Sequence, residues 1–221
     1  MKRPVFCPFR IKKVRLYTQS RKPILLDVGC GNNSPSITKH WLANCVYHGI
    51  DQDKNNLSSS DENSCERFIE LNLDCKDLST IQDNFYDAII MSHIVEHLKN
   101  GAPVIGELTK KLKPGGVFYI EFPSERSLYL PRGTGTLNFY DDKTHIQFYS
   151  LGEIGNILLD NHLTVIEAGR HREWHKVLLS PVFLPLQIKT LIMDRRLHAR
   201  GLWDILGVAD YIIAIKPPQE Q

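Results

Sequence analysis

Residues 25–32 read LLDVGCGN. Two leucines lead into Asp27, and Gly29 and Gly31 follow at alternate positions just after the apolar run. A glycine backbone has no Cβ, so a ligand can approach it closely. In open α/β sheets, ligands bind at the carboxyl ends of the strands. The stretch therefore predicts a buried first strand that ends in a ligand-binding loop.

Short apolar and β-branched runs recur on both sides of this stretch and alternate with helical patterns. They predict seven strands, at residues 24–28, 46–50, 68–73, 88–91, 117–122, 163–168 and 211–215. Strands that alternate with helices indicate an α/β fold, in which a mostly parallel sheet carries helices on both faces.

Helix boundaries support this alternation. Ser34 is expected to cap a helix that has Pro35 at its first position and places Ile37, Trp41 and Cys45 on one face. Two further helices are indicated: one over residues 104–112 ends at Pro114-Gly115-Gly116, and another begins at the capping box of Ser150 and Glu153. The sequence thus predicts crossover helices after the first, fourth and fifth strands.

We expect one domain over residues 1–221, which is an ordinary length for a single core. It comprises a basic arm (1–22), a cofactor-binding core (23–168), an insert (169–210) and the last strand (211–217). The insert holds Trp174, Phe183 and Trp203. It is expected to form a lid over the acceptor pocket or a second apolar core, with a membrane-surface or dimer contact as a third reading.

Composition limits the class of protein. The chain is 42% hydrophobic and 24% charged, with a net charge of +2. Its five cysteines include no Cys-x-x-Cys pair, and no apolar run is long enough to span a membrane. We therefore expect a cytoplasmic protein without disulfides or a transmembrane segment. The arm holds eight cations and no acid, which fits a solvated segment better than a nucleic-acid or lipid contact.

The glycine loop discriminates between cofactors. A dinucleotide fingerprint would place a third glycine where Ser34 stands. Asp27 is a poor neighbour for a pyrophosphate, whereas its carboxylate suits the ammonium group of S-adenosylmethionine. Residues 24–159 resemble the class I S-adenosylmethionine-dependent methyltransferases, and in particular the small-molecule enzymes of types 11 and 23. The resemblance implies a Rossmann-like fold and S-adenosylmethionine as the cofactor.

The same resemblance assigns individual residues to cofactor binding. Asp51, at the end of the second strand, would accept two hydrogen bonds from the ribose, and Asp74 would meet the adenine amino group, with Asp77 as an alternative. The end of the fourth strand would lie beside the methionine part of the cofactor. The full set of expected cofactor contacts is Asp27, Gly29, Cys30, Gly31, Asp51, Gln52, Asp74, Ser92 and His93.

A cluster of histidines and one carboxylate follows the fourth and fifth strands. Its members are His93, Glu96, His97 and His145. One reading makes His145 or His97 a catalytic base near neutral pH. A second makes all four residues ligands of a divalent metal, because the motif resembles the Glu-x-x-Glu-His arrangement of some O-methyltransferases, with His93 in place of the first Glu. A third reading is structural, with helix capping or loop bonding.

The aromatic residues between the fifth strand and the next helix suggest an acceptor pocket, with Tyr129, Arg132, Asn138, Phe139 and Tyr140 as its candidates. The sequence thus predicts methyl transfer from S-adenosylmethionine to a small-molecule, glycan or lipid acceptor, with O-methylation favoured. The alternatives are a non-catalytic cofactor-binding module and a nicotinamide-dependent oxidoreductase. A nucleic-acid 2′-O-methyltransferase ranks below these, and nucleic acid is not expected as a partner.

Overall fold

The computed structural model describes residues 6–75, 78–132, 137–182 and 202–218. Its described residues contain a seven-stranded sheet in the order β3-β2-β1-β4-β5-β7-β6. The strands are β1 (Ile24–Val28), β2 (Val46–Asp51), β3 (Arg67–Glu70), β4 (Tyr86–Ser92), β5 (Leu112–Pro123), β6 (Thr164–Arg170) and β7 (Ala209–Ile215). Strand β7 runs antiparallel to its two neighbours, β5 and β6, and the other strand pairs are parallel. All seven predicted strands and the mostly parallel sheet are confirmed.

Helices lie on both faces of this sheet, as predicted. They are α1 (Phe9–Tyr17), α2 (Ser34–Trp41), α3 (Ser59–Glu62), α4 (Gly101–Lys111), α5 (Leu151–Asp160), α6 (described over residues 174–182) and α7 (Leu202–Leu206). Helices α4 and α5 pack on one face, over a core that includes Leu26 and Val28. Helix α1 packs on the other face, over Leu25. The two faces of β1 are therefore both buried.

The strand order sets the position of the ligand crevice. Strand β1 pairs in parallel with β2 on one side and with β4 on the other, so the chain order reverses direction at β1. Loops that leave the carboxyl ends of β1 and β4 consequently diverge, and this is where open α/β sheets bind ligands. The glycine loop of residues 29–31 lies at that point.

Helix α1 is an element that the sequence did not predict. Residues 9–17 lie within the basic arm, yet Ile11 and Val14 are buried against the sheet. Lys13 and Tyr17 both bond the Glu167 carboxylate on β6, and Tyr211 donates to the same group. The cations around Ile11 and Val14 hide this short apolar pattern in the sequence. The arm is thus docked on the domain over at least its helical part.

The start of α2 differs from the prediction. Ser34 is the first helical residue and its hydroxyl caps nothing, because Asn33, with a φ of 79°, occupies the cap position. The buried face consists of Ser34, Pro35 and Thr38 rather than Ile37 and Trp41, and Cys45 lies beyond the helix end. Because Asn33 adopts a left-handed backbone conformation just before α2, the helix turns a different face to the sheet from the one that the sequence pattern predicts. The Ser150–Glu153 capping box of α5 is confirmed.

The predicted insert is described only at its two ends. Trp203, on α7, packs with Leu137 and Val208 in a small apolar cluster. Phe183 and the apolar run that follows it lie outside the described residues. Among residues that the structure describes, no helix has the length and apolar character required to cross a bilayer.

Candidate functional site at the carboxyl edge of the sheet

The two glycines of the loop have different roles. Both have a positive φ, of 70° at Gly29 and 49° at Gly31. A Cβ added to Gly29 would lie 1.9 Å from Cδ1 of Ile94, whereas a Cβ on Gly31 would meet nothing within 4 Å. Gly29 is therefore required for packing against the segment after β4. Gly31 leaves open space at the carboxyl edge of the sheet.

Asp51 ends β2 directly beside this open glycine. Its Oδ2 accepts a hydrogen bond from the Gly31 N–H at 2.8 Å, and its Oδ1 accepts one from the Gln52 N–H at 2.8 Å. The carboxylate thus ties the glycine loop to the end of β2. An ionised carboxylate retains further acceptor positions after two such bonds. Asp51 and Gly31 together line the crevice on the β2 side.

Asp27 lies beneath the loop rather than on its surface. It is only 3% exposed. Its Oδ2 accepts from the Ser34 hydroxyl at 2.5 Å and from the Tyr47 hydroxyl at 2.6 Å. Burial raises the pKa of the Asp27 carboxyl, and the Arg10 guanidinium and both hydroxyl donors offset part of that rise. A carboxylate under the amino end of α2 opposes the binding of a pyrophosphate there.

Two more predicted cofactor contacts, Cys30 and Asp74, have side chains that contact the protein itself. The Cys30 thiol packs inward, because its Sγ would be 2.7 Å from a Cβ on Gly49. Its N–H donates to the Ile50 carbonyl. Asp74 accepts from the Lys99 N–H at 2.9 Å, which connects the loop after β3 to the start of α4. Asp77 lies outside the described residues. Ser92 is the last residue of β4 and is partly buried.

His93 is partly exposed and pairs with two buried carboxylates. The residue has a φ of 55°, a backbone conformation that non-glycine residues adopt mainly under local constraint. Its Nδ1 lies 3.2 Å from Glu96 Oε1 and its Nε2 lies 3.1 Å from Glu121 Oε1. Burial lowers the pKa of the imidazole, but the bonds to Glu121 and Glu96 dominate and raise it to about 10. His93 is therefore an imidazolium with both nitrogens engaged.

Glu121 and His171 complete this group, and the sequence did not predict either of them. His171 Nδ1 lies 3.0 Å from Glu121 Oε1, and the Tyr119 hydroxyl donates to Oε2 of the same carboxylate. Burial opposes ionisation of Glu121, but the charges and hydrogen bonds of His171 and His93 hold its pKa well below the usual range. The signal available in the sequence was one carboxylate inside the apolar run of residues 117–122.

His145 and His97 each have one nitrogen fixed by a backbone carbonyl. His145 Nδ1 lies 2.6 Å from the Phe139 carbonyl, and His97 Nδ1 lies 3.1 Å from the Thr144 carbonyl. A carbonyl only accepts, so in the neutral form of each ring Nδ1 carries the proton and Nε2 is the acceptor. His97 Nδ1 also lies 2.9 Å from the Thr144 hydroxyl, and His145 Nε2 lies 4.0 Å from Glu96 Oε1 and 3.9 Å from Asp142 Oδ2.

Glu96 is the third member of the cluster that His97 and His145 form. The backbone N–H groups of residues 146 and 147 donate to the Glu96 carbonyl, which holds the His145 loop against the turn after β4. The side chain of Glu96 is 1% exposed, and its Oε2 has no hydrogen-bond partner among the described residues. One ligand atom from each of Glu96, His97 and His145 lies within 4.8 Å of the others. The structure thus brings three of the four predicted metal ligands together, and His93 contacts Glu96 of this set while both of its nitrogens are engaged by carboxylates.

A cavity of about 200 Å³ adjoins this cluster. Leu137, Phe139, Trp203 and Val208 supply apolar walls, and the histidines and Glu96 supply the polar end. Of the predicted pocket residues, Asn138 and Phe139 line this cavity. Tyr129 is largely exposed, and the Arg132 guanidinium lies over the Tyr140 ring at 4.6 Å outside it.

The sequence matches the model of a family described as "Methyltransferase domain" over residues 4–168, well over half of the chain. The chain belongs to this methyltransferase family. The family match and the fold make S-adenosylmethionine the cofactor of this methyltransferase domain and rule against the nicotinamide alternative.

Known proteins similar to this methyltransferase domain include two quinone-pathway enzymes. The mitochondrial ubiquinone biosynthesis O-methyltransferase of Dictyostelium discoideum is 29% identical over 139 residues, which are 51% of this chain and 43% of that protein. The ubiquinone biosynthesis O-methyltransferase of Hydrogenovibrio crunogenus is 27% identical over 129 residues, which are 56% and 52% of the two chains. The domain thus matches about half the length of these relatives.

The fold has close counterparts among solved structures. A SAM-dependent methyltransferase from Archaeoglobus fulgidus superposes with a TM-score of 0.62 at 20% identity, covering 94% of this chain and 91% of that one. At such identity the likeness concerns the fold alone. It confirms the Rossmann-like methyltransferase fold.

Proposed function

We propose that this domain transfers a methyl group from S-adenosylmethionine to a hydroxyl oxygen of a small, partly apolar molecule. The observation that carries the proposal is the pair of imidazole rings whose Nε2 lone pairs adjoin the apolar cavity at the end of β4. The two O-methyltransferases among the relatives support transfer to oxygen. Neither their substrate nor a glycan or lipid acceptor follows from that similarity.

The cofactor would lie along the open crevice beside Gly31. Asp51 has lone pairs left for the two ribose hydroxyls, and Asp74 stays the expected partner of the adenine ring. Asp27 anchors Ser34, and an Asp27 contact with the ammonium group remains a prediction. The chemistry then needs an acceptor oxygen in line with the sulfonium carbon.

His145 is the proposed catalytic base. Its Nδ1–H is held by the Phe139 carbonyl, so its Nε2 can take the acceptor proton while the oxygen forms a bond to the methyl carbon. The carbon–sulfur bond breaks, and S-adenosylhomocysteine leaves with the electron pair. The products are the methyl ether, S-adenosylhomocysteine and a proton on His145 that is released to water. His97 is the alternative base from the adjacent ring.

Replacement of His145 tests this assignment. The variant His145→Gln should lower kcat for a phenolic acceptor by roughly 100-fold or more, the usual contribution of a positioned base. S-adenosylhomocysteine affinity should stay unchanged. His40→Gln is the matched control, because His40 lies exposed on α2. Equal kcat in both variants would contradict the base assignment, and cofactor binding without turnover on any hydroxyl would instead favour the non-catalytic module.

A divalent metal is a second candidate function of the same cluster. Glu96 Oε2, without a partner in the described part of the chain, and two Nε2 atoms form a two-histidine, one-carboxylate set that suits zinc, manganese or iron. Nδ1 atoms held by carbonyls are the usual support for metal-binding imidazoles. The imidazolium His93 is not part of this set. A bound metal would lower the pKa of the acceptor hydroxyl and orient it.

Metal analysis distinguishes the two mechanisms. Zinc titrated into the metal-free protein should bind in calorimetry, and Glu96→Gln should abolish this binding while Glu107→Gln on α4 leaves it intact. Less than roughly a tenth of an equivalent of metal in the purified protein, with unchanged activity in chelator, would remove the metal mechanism and leave His145 as the base.

A further inference from the structure

Helix α6 exposes an apolar strip that the proposed chemistry does not use. Trp174, Leu178 and Val182 follow one another at intervals of four and are 63%, 77% and 63% exposed. Residues four apart lie on the same face of a helix. Leu179 adjoins them and is also exposed. We call Trp174, Leu178, Leu179 and Val182 the apolar strip.

This row of exposed apolar side chains differs from the single apolar residues that are common on protein surfaces. Large apolar side chains that lie singly on a surface are common, whereas several in one row mark a contact surface. Phe6 extends the row, since it is 52% exposed and its ring lies 4.2 Å from that of His175 on the same helix. The strip thus continues from α6 to the segment that precedes α1.

Cations border the strip. The Arg172 guanidinium lies 6.0 Å from the centre of the Trp174 ring. Lys12 and Arg15 lie on the exposed side of α1, whose N-cap Pro8 follows Phe6 by two residues, and Glu173 directly precedes α6. Residues 6–22 contain six cations and no acid. Only Arg10 and Lys13 of α1 turn inward, to Ser34 and Glu167 respectively.

Charge complementarity therefore favours an anionic partner over a second copy of the chain. A second copy would bring the same cations against each other. An apolar row flanked by Lys and Arg is the arrangement with which amphipathic helices lie in the surface of an anionic bilayer.

The position of α6 adds a geometric argument. Strand β6 runs parallel to β1 and β5 and ends at Arg170, so the chain leaves the sheet at the edge that carries the cofactor crevice. His171 follows at once, bonds Glu121 of the site and stacks on Phe9 of α1. The strip and its cations thus adjoin the active-site edge of the domain.

We propose that the apolar strip of α6 and the exposed cations of α1 form a binding surface for anionic phospholipid bilayers. Trp174 and Leu178 enter the interface, and Lys12 and Arg15 contact the headgroups. The proposal is independent of the acceptor and of the catalytic residues.

Vesicle binding by the full chain tests the proposal. The protein should cosediment with vesicles of phosphatidylcholine containing about a third phosphatidylglycerol at low salt and should remain in solution with phosphatidylcholine alone. Leu178→Asp should weaken binding roughly tenfold or more, because a large apolar side chain no longer leaves water. Leu159→Asp is the matched control, since Leu159 is 55% exposed on α5, on the face opposite α1.

Charge reversal tests the second half of the surface. The pair Lys12→Glu and Arg15→Glu should weaken binding by roughly tenfold or more, and the equally charged control pair Lys99→Glu and Lys110→Glu should not. Brominated lipids should quench the fluorescence of Trp174, and Trp174→Phe should remove that quenching. Circular dichroism should match the parent chain in all variants.

Two results would overturn the proposal. One is the absence of any binding to anionic vesicles at low salt. The other is concentration-dependent self-association that Leu178→Asp abolishes while vesicle binding stays absent, which would make the strip an interface between two copies. Failure of either proposed catalytic mechanism would leave these results unaffected.

Discussion

Alanine at Gly29 should mainly lower stability, whereas alanine at Gly31 should mainly weaken cofactor binding. Both positions lie in the left-handed region, where an L-residue costs about 1–2 kcal/mol, partly offset by a less flexible unfolded chain. At Gly31 the added methyl group meets open space, so Gly31→Ala should lower the free energy of unfolding by about 1 kcal/mol. At Gly29 the methyl group would overlap Ile94, and the extra overpacking should bring the loss to roughly 2–4 kcal/mol.

Cofactor binding should be weakened mainly in Gly31→Ala, the variant with the smaller loss of stability. In the proposed cofactor position, the methyl group on Gly31 would occupy space that the cofactor needs, so S-adenosylhomocysteine should bind Gly31→Ala at least roughly tenfold more weakly, a loss of about 1.4 kcal/mol. Urea unfolding followed by intrinsic fluorescence measures the first effect, and calorimetric titration measures the second. Equal stability losses in the two variants, or unchanged affinity in Gly31→Ala, would refute the division of roles within the loop.

Further predictions concern Asp51 and Glu167. Asp51→Ala should weaken S-adenosylhomocysteine binding at least roughly tenfold, since charge-assisted bonds to the ribose are lost, and Asp53→Ala should bind as the parent does. Equal affinity in the Asp51 variant would remove its ribose assignment. Burial opposes ionisation of Glu167, but bonds from Lys13, Tyr211 and Tyr17 lower the pKa of its carboxyl, so the stability it contributes is present above about pH 4.5 and lost as pH falls further. Glu167→Gln should flatten that acid dependence of unfolding, and an unaltered slope would contradict the role of Glu167 in docking α1.

The sheet was predictable from the sequence because each buried strand is a short apolar run bounded by polar or glycine residues. Residues 46–50 and 88–91 needed no tertiary information to be recognised. The capping box of α5 was equally local. Helix α1 was not predictable in this way, because its two buried residues, Ile11 and Val14, stand among cations that the sequence pattern assigns to solvent.

The site was predictable in its parts but not in its pairings. The glycine loop and Asp51 follow from the order of motifs along the chain. The separation of His93 from His97 and His145 does not, since it depends on Glu121, which the fold brings from a neighbouring strand. Spacing along a turn grouped His93, Glu96 and His97, and the loop after β5 was expected to add His145; the tertiary contact with Glu121 engages His93 separately. Ser34 likewise has a hydroxyl that serves Asp27 rather than the helix end.

The measurement that tests the central claim most directly is a calorimetric titration of the protein with S-adenosylhomocysteine, with NAD titrated separately. The crevice beside Gly31 and Asp51 predicts micromolar binding of S-adenosylhomocysteine and no heat from NAD, because the buried Asp27 carboxylate opposes a pyrophosphate. Silence with S-adenosylhomocysteine, or tighter binding of NAD, would contradict the assignment of this crevice to the methyl donor.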